Sequence, residues 1–171
     1  LMIDLKRASA IGRSRLRGMV AGIRETLRSP LADTDVLYLD GQGQFEKSWE
    51  AVRRQLRLGG LRRCLIGAIN DSAALGAVRA FEEAGRANDC VACSQNGSLE
   101  ARRELRRRDS RLLFAVAYFG ESYGEGLVRL ALEILNHRNV PPAVFTRHDL
   151  LTRRNVDHLY PNDSLLSPLP V

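Results

Sequence analysis

What the chain lacks narrows it first. Its apolar stretches are too short and too often interrupted by charge to span a bilayer, and its start, Leu1-Met2-Ile3-Asp4-Leu5-Lys6-Arg7, lacks the basic-then-apolar layout of a signal peptide. Such a start suits a cytoplasmic chain or a fragment without its beginning. Cysteine is scarce, and Cys64, Cys90 and Cys93 are an odd number that cannot all pair within one chain. The one C-x-x-C, Cys90 to Cys93, runs along an expected strand with no second pair beside it. This argues against zinc or redox chemistry and for reduced thiols acting as small hydrophobes. Aromatic residues make up only 6% of the chain, and none interleaves with the arginines as a single-strand stacking platform would require.

Catalytic signatures are missing too. No serine sits in a G-x-S-x-G turn and no G-x-x-x-x-G-K-[ST] loop is present. Gly120, Gly124 and Gly126 are spaced like a phosphate loop, but Glu121 and Glu125 stand among them with no lysine following, and acidic side chains repel phosphate. His137, His148 and His158 fall late, in polar context and without metal-ligand spacing. The chain is therefore expected to be no enzyme and to need no cofactor or metal.

What is present describes one globular domain: 171 residues, 44% hydrophobic and 27% charged, with disorder expected only in the proline-rich tail after Tyr160. The net charge of +6 and pI near 9.8 come from arginines concentrated in 53–63 and 101–111. That balance permits binding to a polyanion, but arginines set among helix formers read as solvated helix faces.

Apolar strands alternate with amphipathic helices. Helices are predicted at about Ser14 to Leu27, Phe45 to Leu58, Ser72 to Ala84, Leu99 to Arg107 and Tyr123 to Leu135. Strands are predicted at Asp35 to Leu39, Cys64 to Ile69, Asp89 to Cys93, Leu112 to Tyr118 and Ala143 to His148. Gly41 and Gly43, Gly59 and Gly60, Gly85 and Gly97 punctuate the boundaries, and Pro141-Pro142 separates the last helix from the last strand. The alternation predicts an α/β fold, a parallel sheet flanked by helices on both faces, because each parallel connection needs a crossover. The most informative junction is the polar point Asn70-Asp71, where an apolar run turns into a helix closed by Gly85. Ligands of open parallel sheets bind at such carboxyl ends, and Asn70 or Asp71 can equally cap the helix.

These segments resemble a known family. Asn70-Asp71-Ser72-Ala73-Ala74-Leu75-Gly76-Ala77, running on to Ala84-Gly85, is similar to the N-D-x-x-A-L-G-A-x-x-A-x-x-x-A-G signature of type I periplasmic sugar-binding proteins and of lac repressor effector domains. In the same order, Arg15-Leu16-Arg17-Gly18 resembles the family's R-x-x-G element and Ser94-Gln95-Asn96-Gly97 its G-[FY]-D-G turn. Ala117 to Gly124 resembles the segment that crosses between lobes, and Leu151 to Asp157 the closing strand and tail of transporter members. The resemblance implies the carboxyl-terminal lobe of a two-lobed type I periplasmic-binding-protein-like fold, with most of the other lobe missing. Residues 1–118 would form the sugar-binding domain, and 119–171 the crossing helix, late strand and tail that in the family pack on the other lobe.

Carried over by position, Arg15, Asn70, Asn96 and Tyr118 would face the ligand. The family usually has Asp where Asn96 stands and often Gln where Tyr118 stands. Asn96 would leave Arg15 with less compensating charge, which suits a more oxidised or acidic ligand, and Tyr118 would stack on a sugar face or fill the core. The resemblance implies carbohydrate binding by a periplasmic component of an ABC transporter, delivering a small sugar or sugar derivative to a membrane permease. The alternative is a cytoplasmic effector domain of a lac repressor type transcription regulator, reaching DNA only through an upstream domain; three thiols suit that compartment, and the 155–161 tail suits the transporter branch. The helix beginning near Glu121 would lack its family partner and expose an apolar patch, which implies a homodimer.

Overall fold

The computed structural model describes residues 1–7, 10–27 and 30–166. Its elements are β1 (Met2–Asp4), α1 (Ala10–Thr26), β2 (Tyr38–Asp40), α2 (Phe45–Arg57), β3 (Cys64–Ala68), α3 (Asp71–Glu83), β4 (Cys90–Asn96), α4 (Leu99–Arg106), β5 (Leu112–Ala117), α5 (Tyr123–Leu135), β6 (Asp149–Thr152) and α6 (Val156–Leu159). They build one six-stranded sheet in the order β2-β1-β3-β4-β5-β6, parallel except for β6, which runs antiparallel to β5. The mixed α/β architecture expected from the sequence is the one observed.

Several boundaries differ from the sequence reading. The three-residue β1 was not recognised, because its apolar stretch is too short to show a strand period; it nevertheless lies inside the sheet, between β2 and β3. Helix α1 begins four residues before Ser14, and part of the expected strand from Asp35 is a 3-10 turn over Asp33–Asp35. The late strand is not at Ala143 to His148: those residues are without regular structure, and the strand is Asp149–Thr152. Its backbone pairs with Phe114 to Ala117, a long-range contact that no local pattern announces.

Packing follows the alternation of side chains. Ile3, Ile66, Ala68 and Ala92 are buried, as are Ala73, Ala77, Val78, Ala80 and Phe81 of α3, all within one core cluster. On the other face α1 lies against β1 and β3, where a Cβ at Gly67 would meet the sulfurs of Met2 and Met19. Helices α2 and α3 approach so closely that a Cβ at Gly76 would collide with the Phe45 carbonyl oxygen. At the end of α3, Gly85 takes φ of 67°, with Arg86 N–H donating to Phe81 O at 2.8 Å and Gly85 N–H to Glu82 O at 2.9 Å, a Schellman closure that uses glycine's freedom at positive φ.

The chain after residue 118 divides. Helix α5 has no buried residue and leaves Leu127, Val128, Leu132, Ile134 and Leu135 exposed, beside Val144 and a Phe145 that is 93% exposed. By contrast, β6, α6 and the 3-10 turn Pro161–Leu166 pack on this same lobe. Arg102 holds Asp163 through two hydrogen bonds of 2.8 and 2.9 Å, and Arg106 adds another at 2.8 Å while also reaching Asp157. These two arginines are therefore clasps for the tail, not the solvated helix face expected of 101–111. The tail expected to be disordered is ordered to Leu166, and Ser167 to Val171 lie outside the described residues.

Candidate functional site

The carboxyl ends of β3, β4 and β5 lie side by side, beside the point between β1 and β3 where the strand order reverses. In open α/β sheets the crevice outside such a point is where helix starts, turns and polar side chains meet.

Asn70 sits at the end of β3 as the N-cap of α3. Its extended backbone (φ −154°, ψ 176°) lets Oδ1 accept from Ala73 N–H at 2.9 Å, satisfying a donor that has no helical partner. Its Nδ2 donates to the Gly43 carbonyl at 2.9 Å and so ties the loop after β2 to this junction. The choice left open between Asn70 and Asp71 is thus resolved: Asn70 is the cap. Asp71 turns inward and is 1% exposed, accepting from Ser94 Oγ at 2.5 Å and from Ser98 N–H at 2.6 Å. Burial pushes its carboxyl above the ordinary value, and the hydrogen bonds from Ser94 and Ser98 pull against that push.

That carboxylate holds the turn leading from β4 into α4, where Asn96 has φ of 129° and Gly97 φ of 74°. Gly97 is also closed to larger residues, since a Cβ there would stand 2.8 Å from that of Ala117. The strained turn carries Asn96 outward, and Asn96 Oδ1 accepts from Arg15 Nη1 at 3.3 Å. The same nitrogen donates to the Ile69 carbonyl at 3.0 Å, next to Asn70. Arg15 lies in the first half of α1, with its guanidinium carbon 5.1 Å from the centre of the Tyr118 ring. The Tyr118 hydroxyl donates to Gln95 Oε1.

The four positions taken from the sequence thus lie at one edge of the sheet. Arg15, Asn96 and Tyr118 touch directly; Asn70 is held beside them through Ile69, with its amide engaged by Ala73 and Gly43. Gln95 and Gly43 have no place at this edge in the sequence reading, and Asp71 is there only as a candidate cap. Asp71 was legible as a polar residue at a strand end, but its inward turn depends on Ser94 and Ser98, 23 and 27 residues away. Phe119 adds a rim: it has φ of 52° and stacks on Tyr160 with ring centres 5.7 Å apart. Chemically, the edge offers hydrogen-bond donors, amide groups and an aromatic face. Among the described residues no group of three or more His, Cys, Asp or Glu is placed to hold a metal, and no helix is long and apolar enough to cross a membrane.

No family model and no curated protein matches the sequence. Solved structures do match its fold. An ABC transporter periplasmic solute-binding protein from Actinobacillus succinogenes, solved with bound D-allose, superposes with a TM-score of 0.79 at 16% identity, over 92% of this chain and 53% of that one. The periplasmic component of the arabinose ABC transporter from Shewanella sp. ANA-3, bound to L-arabinofuranose, gives 0.79 at 18% identity, over 96% and 54%. A solute-binding protein from Bacillus halodurans with bound myo-inositol gives 0.76 at 22% identity, over 92% and 52%. The chain spans about half the length of these structures. The fold is the periplasmic-binding-protein-like one expected from the sequence.

Proposed function

We propose that this chain is a carbohydrate-binding lobe of the periplasmic solute-binding type, performing no reaction and serving an ABC permease from the periplasm. The observation that carries the reading is the convergence of Arg15, Asn96 and Tyr118 beside the Asn70 cap, at the sheet edge where an α/β lobe offers its ligand crevice. The fold match to proteins solved with allose, arabinose and inositol supports it.

In this reading the guanidinium of Arg15 donates to ligand oxygens, Asn96 gives and accepts hydrogen bonds, the Tyr118 ring provides an apolar wall, and Asn70 anchors the crevice floor with its remaining amide hydrogen toward the ligand. Two-lobed binding proteins gain affinity by closing both halves on the ligand, so a lobe by itself binds weakly. A second copy of the chain covers the apolar face of α5. The regulatory alternative draws on one observation, the three free thiols of Cys64, Cys90 and Cys93, which suit a reducing compartment. The sequence upstream in the gene separates the two: a signal peptide for the transporter component, a helix-turn-helix for the regulator.

Calorimetric titration with L-arabinose, D-allose, myo-inositol and the sugar acid D-galacturonate, on this chain and on Arg15→Ala, tests the assignment. The expected result is saturable heat that weakens by about tenfold or more in the variant, the size of one lost charge-assisted hydrogen bond. Absence of saturable heat with every sugar, or equal heat in Arg15→Ala, would remove it.

A further inference from the structure

Arg15 is a half-buried cation whose hydrogen bonds, among the described residues, are made by one nitrogen to uncharged groups. Its Nη1 donates to two neutral acceptors, the Ile69 carbonyl and the Asn96 amide oxygen. Among the described residues it makes no ion pair; the carboxylates at this end of the sheet are Asp4, Asp40, Asp71 and Glu121, and Glu121 faces the Tyr160 hydroxyl. Asp71 is turned into the protein toward Ser94 and Ser98. Asp4 accepts from the N–H of its neighbour Leu5, and Asp40 from those of Lys6 and Gln42. The remaining edge of the guanidinium, Nε with Nη2, has no partner among the described residues, and this edge is the planar fork that fits a carboxylate through two parallel hydrogen bonds. The Tyr118 ring attracts the cation without neutralising it.

Building on the carbohydrate reading above, we infer that the ligand is a sugar acid, an aldonate or uronate, whose carboxylate pairs with the free Nε–Nη2 fork of Arg15. The hydroxyl-bearing carbons of such a ligand then lie against Tyr118 and Asn96. A neutral sugar would leave this guanidinium hydrogen-bonded but uncompensated, whereas a carboxylate completes both its charge and its geometry. Asn96 is the residue that leaves the positive charge open: a carboxylate at the same position, 3.3 Å from Nη1, would neutralise Arg15 from within.

The test is an NMR titration that follows the Arg15 Nε–H signal and the backbone amides of 96–98 in the full chain, sensitive to weak binding. The probes are two matched pairs: L-arabinose with L-arabinonate, and D-galactose with D-galacturonate. The expected result is at least about tenfold tighter binding of each acid than of its neutral partner, with the preference falling as salt rises. Asn96→Asp is expected to reverse that preference, and Arg15→Gln to abolish it; a thermal melt of each variant establishes that it folds, and the wild-type comparison of acid with neutral sugar stands without either. Equal or tighter binding of the neutral sugars would overturn the sugar-acid assignment while leaving carbohydrate binding intact. No saturable shift with either class would overturn the carbohydrate reading, and this inference with it.

Discussion

The carboxylate of Asp71 is buried beside the first turn of α3 and holds the β4–α4 turn through Ser94 Oγ and Ser98 N–H. Replacing it with asparagine conserves size but substitutes an N–H donor for one acceptor oxygen: with the oxygen kept for Ser98 N–H, the amide can donate to Ser94 Oγ only if that hydroxyl turns away and loses its own acceptor. An unsatisfied buried group costs about 1 to 3 kcal/mol, and Asp71→Asn is expected to lower the urea midpoint correspondingly and to speed amide exchange at Gly97 and Ser98. Unchanged exchange at those two amides would show that the turn does not depend on this carboxylate. The adjacent Asn70 could be read as a cap or ligand contact from its place at the end of an apolar run. That it also reaches the Gly43 carbonyl depends on β2 and β3 flanking β1, which is a tertiary fact.

Helices α2 and α3 pack closely against each other, and Gly76 is what permits it. In an isolated helix, Gly→Ala is favourable by about 1 kcal/mol. Here the added Cβ would strike the carbonyl oxygen of Phe45, a backbone atom that cannot swing aside, and overpacking costs about 1 to 3 kcal/mol. The collision should prevail: Gly76→Ala is expected to lower stability in urea denaturation with an unchanged slope. A stabilised variant would mean that α2 slides aside at little cost. The amphipathic pattern of α3 was legible in its sequence, and so was its closing glycine. The position of β6 was not, because a four-residue strand on the sheet edge takes its identity from Phe114 to Ala117 and not from its own periodicity.

At the scale of the molecule two features govern integrity and assembly. The first is the clasp of Arg102 and Arg106 on Asp163, in which the Arg102 and Asp163 side chains are 11% and 8% exposed. Burial opposes the ionisation of Asp163, but the two arginines outweigh it and hold the carboxyl below its ordinary value. A depressed folded value means that this contribution is whole above the unfolded value of about 4 and is lost as pH falls through the folded one. Asp163→Ala is expected to cost about 3 kcal/mol at pH 7, since it strands a buried guanidinium, and the gap from the unmodified chain should narrow in melts taken below pH 4. A gap that stays constant with pH would exclude the ionic origin. The second feature is the exposed apolar face of α5. Light scattering across a concentration series is expected to show self-association that Leu132→Asp with Leu135→Asp removes; a monomer at every concentration would rule out coverage by a second copy.

Local information was enough for helices α2 to α5, for the polar strand end at Asn70 and for the α/β class, since period, capping residues and glycine closures act within a few residues of one another; the short α6 and the start of α1 were not legible in it. It was also enough to mark Arg15, Asn70, Asn96 and Tyr118 as one set through their resemblance to a family. Only the folded chain decided which of these groups touch, that Asp71 faces inward, that two arginines of α4 bind the tail instead of water, and that Arg15 donates to the uncharged Ile69 carbonyl and Asn96 amide. Each of those outcomes pairs residues more than twenty positions apart, and such pairs are set by sheet order and burial, which the chain acquires only when its strands assemble.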